Sequence, residues 1–149
     1  MMSENATPAT SLSTAPALTA EDRLTLQVAA HGVVALMAVA DPGAISSTRA
    51  GIAGGKALSA ATGLVGHVLA GKPAGMRLGG TSTADLADQV FAALTASVRL
   101  LGAKAPQEVE NFRDTVGTVM AAASRAHRGQ PGPAEAAMIR KITAALDAA

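Results

Sequence analysis

The residues able to carry chemistry are few and stand apart in the chain. Glu110 and Asp114 are four residues apart and Asp85 and Asp88 are three apart, so each pair shares one helix face. Carboxylates so placed can hold a cation. Metal sites of the bundle type, however, draw on several inward acids and a Glu-x-x-His motif, which this chain lacks. Arg113 lies three residues from Glu110, and a surface ion pair is the simpler account. His31, His67 and His127 each lack a second histidine or a carboxylate three or four residues on. A structural histidine is therefore the expectation at all three. Use of His31 or His67 as a general base ranks last, because nothing in the sequence positions a nucleophile.

Gly55-Lys56 invites comparison with a phosphate-binding loop, Gly-x-x-x-x-Gly-Lys-Ser/Thr. Ala50 stands where the first glycine is needed, and Ala57 where the magnesium-binding hydroxyl is needed. No strand precedes it, so a glycine-rich helix with one exposed lysine is the better reading. Arg125, His127, Arg128, Arg140 and Lys141 can form one cationic patch if the last two helices pair as a hairpin. No aromatic ring lies near them for base stacking, so a solvated face is expected rather than a single-strand binding site. The net charge of +1 supplies no field to gather nucleic acid or anionic lipid. There is no cysteine, which excludes disulfides, thiolate catalysis and cysteine-ligated zinc or iron–sulfur centres, and agrees with a reducing cytoplasm.

The elements that must position these residues are helical. The 149 residues fit one domain, and 49% are apolar, although Phe91 and Phe112 are the only aromatics. Such a core is built from small side chains and close helix contacts. Charged residues make up 15%, a sparse surface that favours self-association.

Residues 1–17 are rich in Ser, Thr, Ala and Pro, and read as a disordered tail without the n- and h-regions of a signal peptide. A single helical domain is expected over residues 18–149. Thr19, followed by Glu21 and Asp22, caps a first helix that ends at Asp41-Pro42-Gly43. A second helix, capped by Ser46 or Ser47, is expected to continue to about Ala70. Gly51, Gly55, Ser59, Gly63, His67 and Gly71 fall four apart along it. Each glycine costs up to about 1 kcal/mol against alanine, and close approach of another backbone can offset that. Gly51, Gly55 and Gly63 are thus expected at an interface, with a neighbouring helix or a second subunit. Although the stretch from Gly51 to Gly71 approaches bilayer length, Lys56, His67 and its glycines argue against a membrane span.

Lys72 to Thr81 reads as the main internal loop, followed by Ser82 as the cap of a third helix running to about Lys104. Pro106 suits the first turn of a fourth helix, with Val109, Phe112, Val116, Val119, Met120 and Ala123 on one face. Pro133 to Leu146 forms the last. The expected fold is all-α, a compact bundle of about five helices, with a helix–loop–helix unit used twice.

The two loops of that unit carry a resemblance. Ala40-Asp41-Pro42-Gly43-Ala44-Ile45-Ser46-Ser47 resembles the loop of the TerB-like tellurite-resistance family, roughly Ala-Asp-Gly-x-Ile-Ser-x-x-Glu. Gln130 to Glu135, with Ala137-Met138-Ile139 and Ile142, is similar to its second copy. The resemblance implies an all-helical, internally pseudo-symmetric fold whose loop acids bind a divalent metal. Asp41 and Glu135 are the acids that carry over. Pro42 is inserted, Thr48-Arg49 replaces the first glutamate, and Arg128 or Gly129 the second aspartate.

The function expected first is a non-enzymatic, cytoplasmic helical interaction or scaffold protein that binds a protein partner or itself and needs no cofactor. The second is a TerB-like divalent-metal or stress-response binder using Asp41 and Glu135.

Overall fold

Thr19 starts the first described helix, α1 (Ala20–Ala40), through a reciprocal cap. Its hydroxyl accepts the Asp22 N–H at 3.0 Å, and the Asp22 carboxylate accepts the Thr19 N–H at 2.9 Å. The computed structural model describes residues 17–41, 43–70, 82–126 and 132–149, with Ala44 described by its backbone alone. The expected tail up to Pro16, the loop from Lys72 to Thr81, and His127, Arg128 and Pro131 lie outside the described residues.

Five further helices follow among the described residues: α2 (Ala44–Ser59), α3 (Gly63–Ala70), α4 (Thr83–Lys104), α5 (Val109–Ala126) and α6 (Pro133–Asp147). A 3-10 turn, Pro106–Glu108, joins α4 to α5, and no strand occurs among the described residues. The architecture is all-α, as the periodicity implies. The second helix differs from expectation. It begins after Gly43 rather than at Ser46 or Ser47, and it ends at Ser59. The Ala60 and Ala61 N–H groups close the last turn, and the chain re-enters helix at Gly63 with φ +78°. That φ lies in the left-handed region, which favours glycine. The run expected as one helix is therefore two, and Gly63 opens the second of them instead of continuing a stripe.

Helix α1 lies at the centre and touches all five others. Its Leu26, Ala29, Ala30, Val33, Leu36 and Met37 are buried, and the surrounding helices turn their apolar faces to it. Named neighbours fix the directions. The Ala38 Cβ lies near Gly51 and the Val34 side chain near Gly54, so α2 runs antiparallel to α1. Gly54 also faces Val119, and Asn111 reaches the Thr62 carbonyl at 2.7 Å, so α5 runs antiparallel to α2.

Gly32 of α1 meets Val90 of α4, and Asp22 meets Lys104, which makes that pair antiparallel too. The Gly32 contact is close enough that a Cβ there would come 2.3 Å from Val90 Cγ2, so this helix crossing requires glycine. Arg113 grips the Leu146 carbonyl at 2.9 Å and the Asp147 carboxylate, and Ser124 lies by Glu135, so α6 returns along α5. The structure thus holds two antiparallel helical hairpins, α1–α2 and α5–α6, at the places of the two loop–helix units.

Candidate functional site

Four polar side chains are buried among the described residues, and the only charged ones are Asp41 and Glu135. They are also the two acids carried by the loop resemblance. Asp41 ends α1. Glu135 sits in the first turn of α6, where a negative charge meets the positive end of the helix dipole. Helices α1 and α4 are antiparallel; Thr95 of α4 donates to the Ala145 carbonyl of α6, and Phe91 and Lys141 line one groove four residues earlier on each helix, so α4 and α6 are parallel and α1 and α6 antiparallel. Asp41 and Glu135 therefore lie toward the same end of the bundle.

Their surroundings differ. Asp41 is 6% exposed, and its Oδ1 accepts the Gly43 N–H at 3.0 Å and the Ser46 hydroxyl. It shapes the turn into α2, and the Ser47 hydroxyl completes the turn by donating to the Ala38 carbonyl at 2.6 Å. Glu135 is 2% exposed; its Oε1 accepts the Ser124 hydroxyl at 3.3 Å, and its Oε2 has no hydrogen-bond partner. An orphan buried carboxylate oxygen is costly and invites a ligand. No group of three or more His, Asp or Glu converges among the described residues, however. Calcium takes six to eight oxygens, and structural zinc four protein ligands. Two acids fall short of such a set.

The other polar candidates are placed apart from this end. His31 is half-buried on α1, and His67 is exposed on α3. Gln27 donates to the Val68 carbonyl at 3.0 Å, which seats α3 beside the first half of α1. Lys56 is exposed in a continuous helix with no strand before it. Arg113 lies 3.9 Å from Glu110, the expected ion pair, but its closer partner is Asp147 across the hairpin. Asp85 and Asp88 are exposed on α4, and Asp114 on α5.

The feature missed by residue chemistry is apolar. Ile45 and Ile52, seven residues apart on α2, are 72% and 56% exposed. A Cβ on Gly51, between them, would meet the Ala38 Cβ of α1 at an ordinary 3.8 Å, and nothing lies within 4 Å of where a Cβ of Gly55 would stand. Within the chain, then, Gly55 packs against no neighbouring helix. Arg49 and Lys56, both exposed, lie three residues before and four after Ile52, and α2 carries no acid. Val39, at the end of α1, is 49% exposed. The sequence signal is present, since Ile45 and Ile52 fall two helical turns apart.

Helices α1 and α4 are long and apolar enough to cross a membrane by length and composition, with 44% and 33% of their most apolar windows buried in the bundle. No family model matches this chain, and no curated protein or solved structure is similar to it.

Proposed function

We propose that this chain is a non-enzymatic helical interaction protein that docks a protein partner on the outward face of α2. The observation that carries the reading is the exposure of Ile45 and Ile52 on one face of a helix whose inner side is fully packed. A large aliphatic side chain left in water forgoes about 1.5–3 kcal/mol of burial, and two of them on one face make a hydrophobic anchor pair. Gly55 leaves the α2 backbone open beside Ile52, so a partner helix can approach closely. Arg49 and Lys56 both lie along one side of the face. The partner surface that fits is an apolar stripe flanked by acidic side chains, because charge of the opposite sign steers such an encounter.

The setting proposed is the cytoplasm, in keeping with a cysteine-free chain.

The test is a photo-crosslinking amino acid placed at Ile52, compared with the same group at Thr143, an exposed position on α6. In the native cell, Ile52 should give a discrete adduct that Thr143 does not, and Ile45→Asp should abolish it. Equal labelling from both positions would remove α2 as the docking face.

A further inference from the structure

We infer that a second copy of this chain docks along the outward face of α4, antiparallel to it. The inference is independent of the α2 face and concerns the self-association of the same molecule. Helix α4 has 22 residues, about 33 Å at the usual rise, and only 33% of its most apolar window is buried. Six of its exposed residues fall three or four apart along one line, Asp85, Asp88, Ala92, Ala96, Arg99 and Ala103, with exposed Gln89 and Gly102 beside it. The centre of that line is apolar and low. A shallow groove runs along each side of it. One, of about 400 Å³, lies against Leu24, Thr25 and Val28 of α1. The other, of about 430 Å³, lies between Phe91 and Ala144 and Ala145 of α6.

The charges select the occupant. Along this line the acids stand toward the N-terminal end and Arg99 toward the C-terminal end, with Ala92 and Ala96 between them. A surface of this order is complementary to itself when reversed. A two-fold axis passing between Ala92 and Ala96 sets each Asp88 beside the partner subunit's Arg99, twice per interface, while the alanines let the two helices meet closely. A parallel arrangement would instead put Asp88 against Asp88 and Arg99 against Arg99. The α2 face has no such symmetry, because its charges, Arg49 and Lys56, are both cations. Self-pairing there opposes like charges. Dimerisation through α4 leaves both α2 faces outward, so the assembly is bivalent toward its partner.

The experiment is light scattering and sedimentation equilibrium of the full chain across a wide concentration range. The expected mass is twice the 14.7 kDa of one chain. Arg99→Asp and Asp88→Arg should each weaken the dimer by about tenfold or more, and the double swap, which restores two opposite-charge contacts, should recover it. Ala96→Glu should give a monomer with an unchanged circular dichroism spectrum, because the residue faces solvent within one chain. A monomer at every concentration would overturn the inference. So would a dimer indifferent to these substitutions, or one lost on Ile52→Glu instead, which would move self-association to α2. Binding of the wild-type chain to neutral phosphatidylcholine vesicles in place of dimer formation would overturn it in favour of a lipid-facing α4. Loss of the α2 crosslink with the dimer intact would defeat only the partner reading.

Discussion

The Glu108 carboxylate accepts the backbone N–H of Val65 at 3.0 Å, across 43 positions of sequence. It thereby caps α3 from the 3-10 turn that joins α4 to α5. Asn111, one turn on, donates to the Thr62 carbonyl at 2.7 Å and to Glu108 itself at 3.3 Å. A short helix of eight residues is thus started by an acid from elsewhere, placed where the helix dipole favours it.

Glu108→Ala removes this cap and leaves the N–H of buried Val65 without its acceptor. A loss of about 1–2 kcal/mol is expected, read as a lower urea midpoint with an unchanged slope. Asn111→Ala should cost less, since it withdraws one donor from a carbonyl near solvent. Equal stability of Glu108→Ala and wild type would mean that α3 is held by packing alone.

Lys104 hydrogen-bonds the Asp22 carboxylate, and with the Thr19 backbone N–H it holds the Asp22 pKa below the usual aspartate range. Because the folded value is depressed, this contribution to stability is complete above the ordinary aspartate pKa. It is lost as pH falls through the lowered folded value. The denaturation midpoint of wild type should therefore drop on acidification more steeply than that of Lys104→Met, the two curves converging at low pH. Parallel curves would show that the pair contributes nothing.

At Gly32 the crossing of α1 and α4 admits no Cβ without movement of Val90, whose Cγ2 would lie 2.3 Å away. Gly32→Ala should destabilise by on the order of 1–3 kcal/mol through overpacking, despite alanine's better helix propensity. Val90→Ala should cost stability alone yet cost less in the Gly32→Ala background, a coupling that a double-mutant cycle measures.

Helix periodicity made the core legible. Phe112, Val116, Val119, Met120 and Ala123 are buried on α5 as their spacing implies, as are Val90, Leu94 and Leu101 on α4. The Thr19 and Ser82 caps were readable for the same local reason, since a cap binds residues three positions away. What was not legible depends on contacts remote in sequence. The break between α2 and α3 follows from the Gly63 backbone and from Glu108, which lies far downstream. The exposure of Ile52 and Leu64 follows from which side of each helix the bundle covers; apolar type alone does not distinguish them from buried Leu58 and Val65. Asp41 and Glu135 were singled out by their loops, but the burial of Glu135 beside Ser124 requires α5 and α6 to be paired.

Glu135 is a buried carboxylic side chain with one oxygen unsatisfied. Glu135→Met keeps the length, removes the orphan atom and forgoes only a 3.3 Å bond from Ser124. Stability should rise by on the order of 1–3 kcal/mol. The contrary pattern is informative. If Glu135→Met melts lower, and calcium or manganese raises the melting temperature of wild type but not of the variant, the acid belongs to a cation site.

Gly51, Gly55 and Gly63 share a spacing of four or eight residues, and one stripe was expected to give them one role. The structure separates them. Gly63 has φ +78°, and a Cβ there would also press on Asn111 Nδ2 at 2.8 Å. Gly63→Ala should therefore destabilise, by strain and by displacing the group that steadies Glu108. Gly55 has open space and helical backbone, so Gly55→Ala should stabilise the isolated chain by up to about 1 kcal/mol. At Gly51 the new Cβ meets only Ala38 at an ordinary 3.8 Å, and a gain of similar sign is expected. Thermal melts of the three single variants test this order. A larger side chain sharpens it: Gly55→Leu should keep the fold and its melting temperature, yet abolish the crosslink formed from Ile52, because it closes the backbone approach beside that residue. If Gly55→Leu unfolds the chain, Gly55 faces a neighbour inside the bundle. If it leaves the crosslink intact, the partner does not approach α2 closely at that turn.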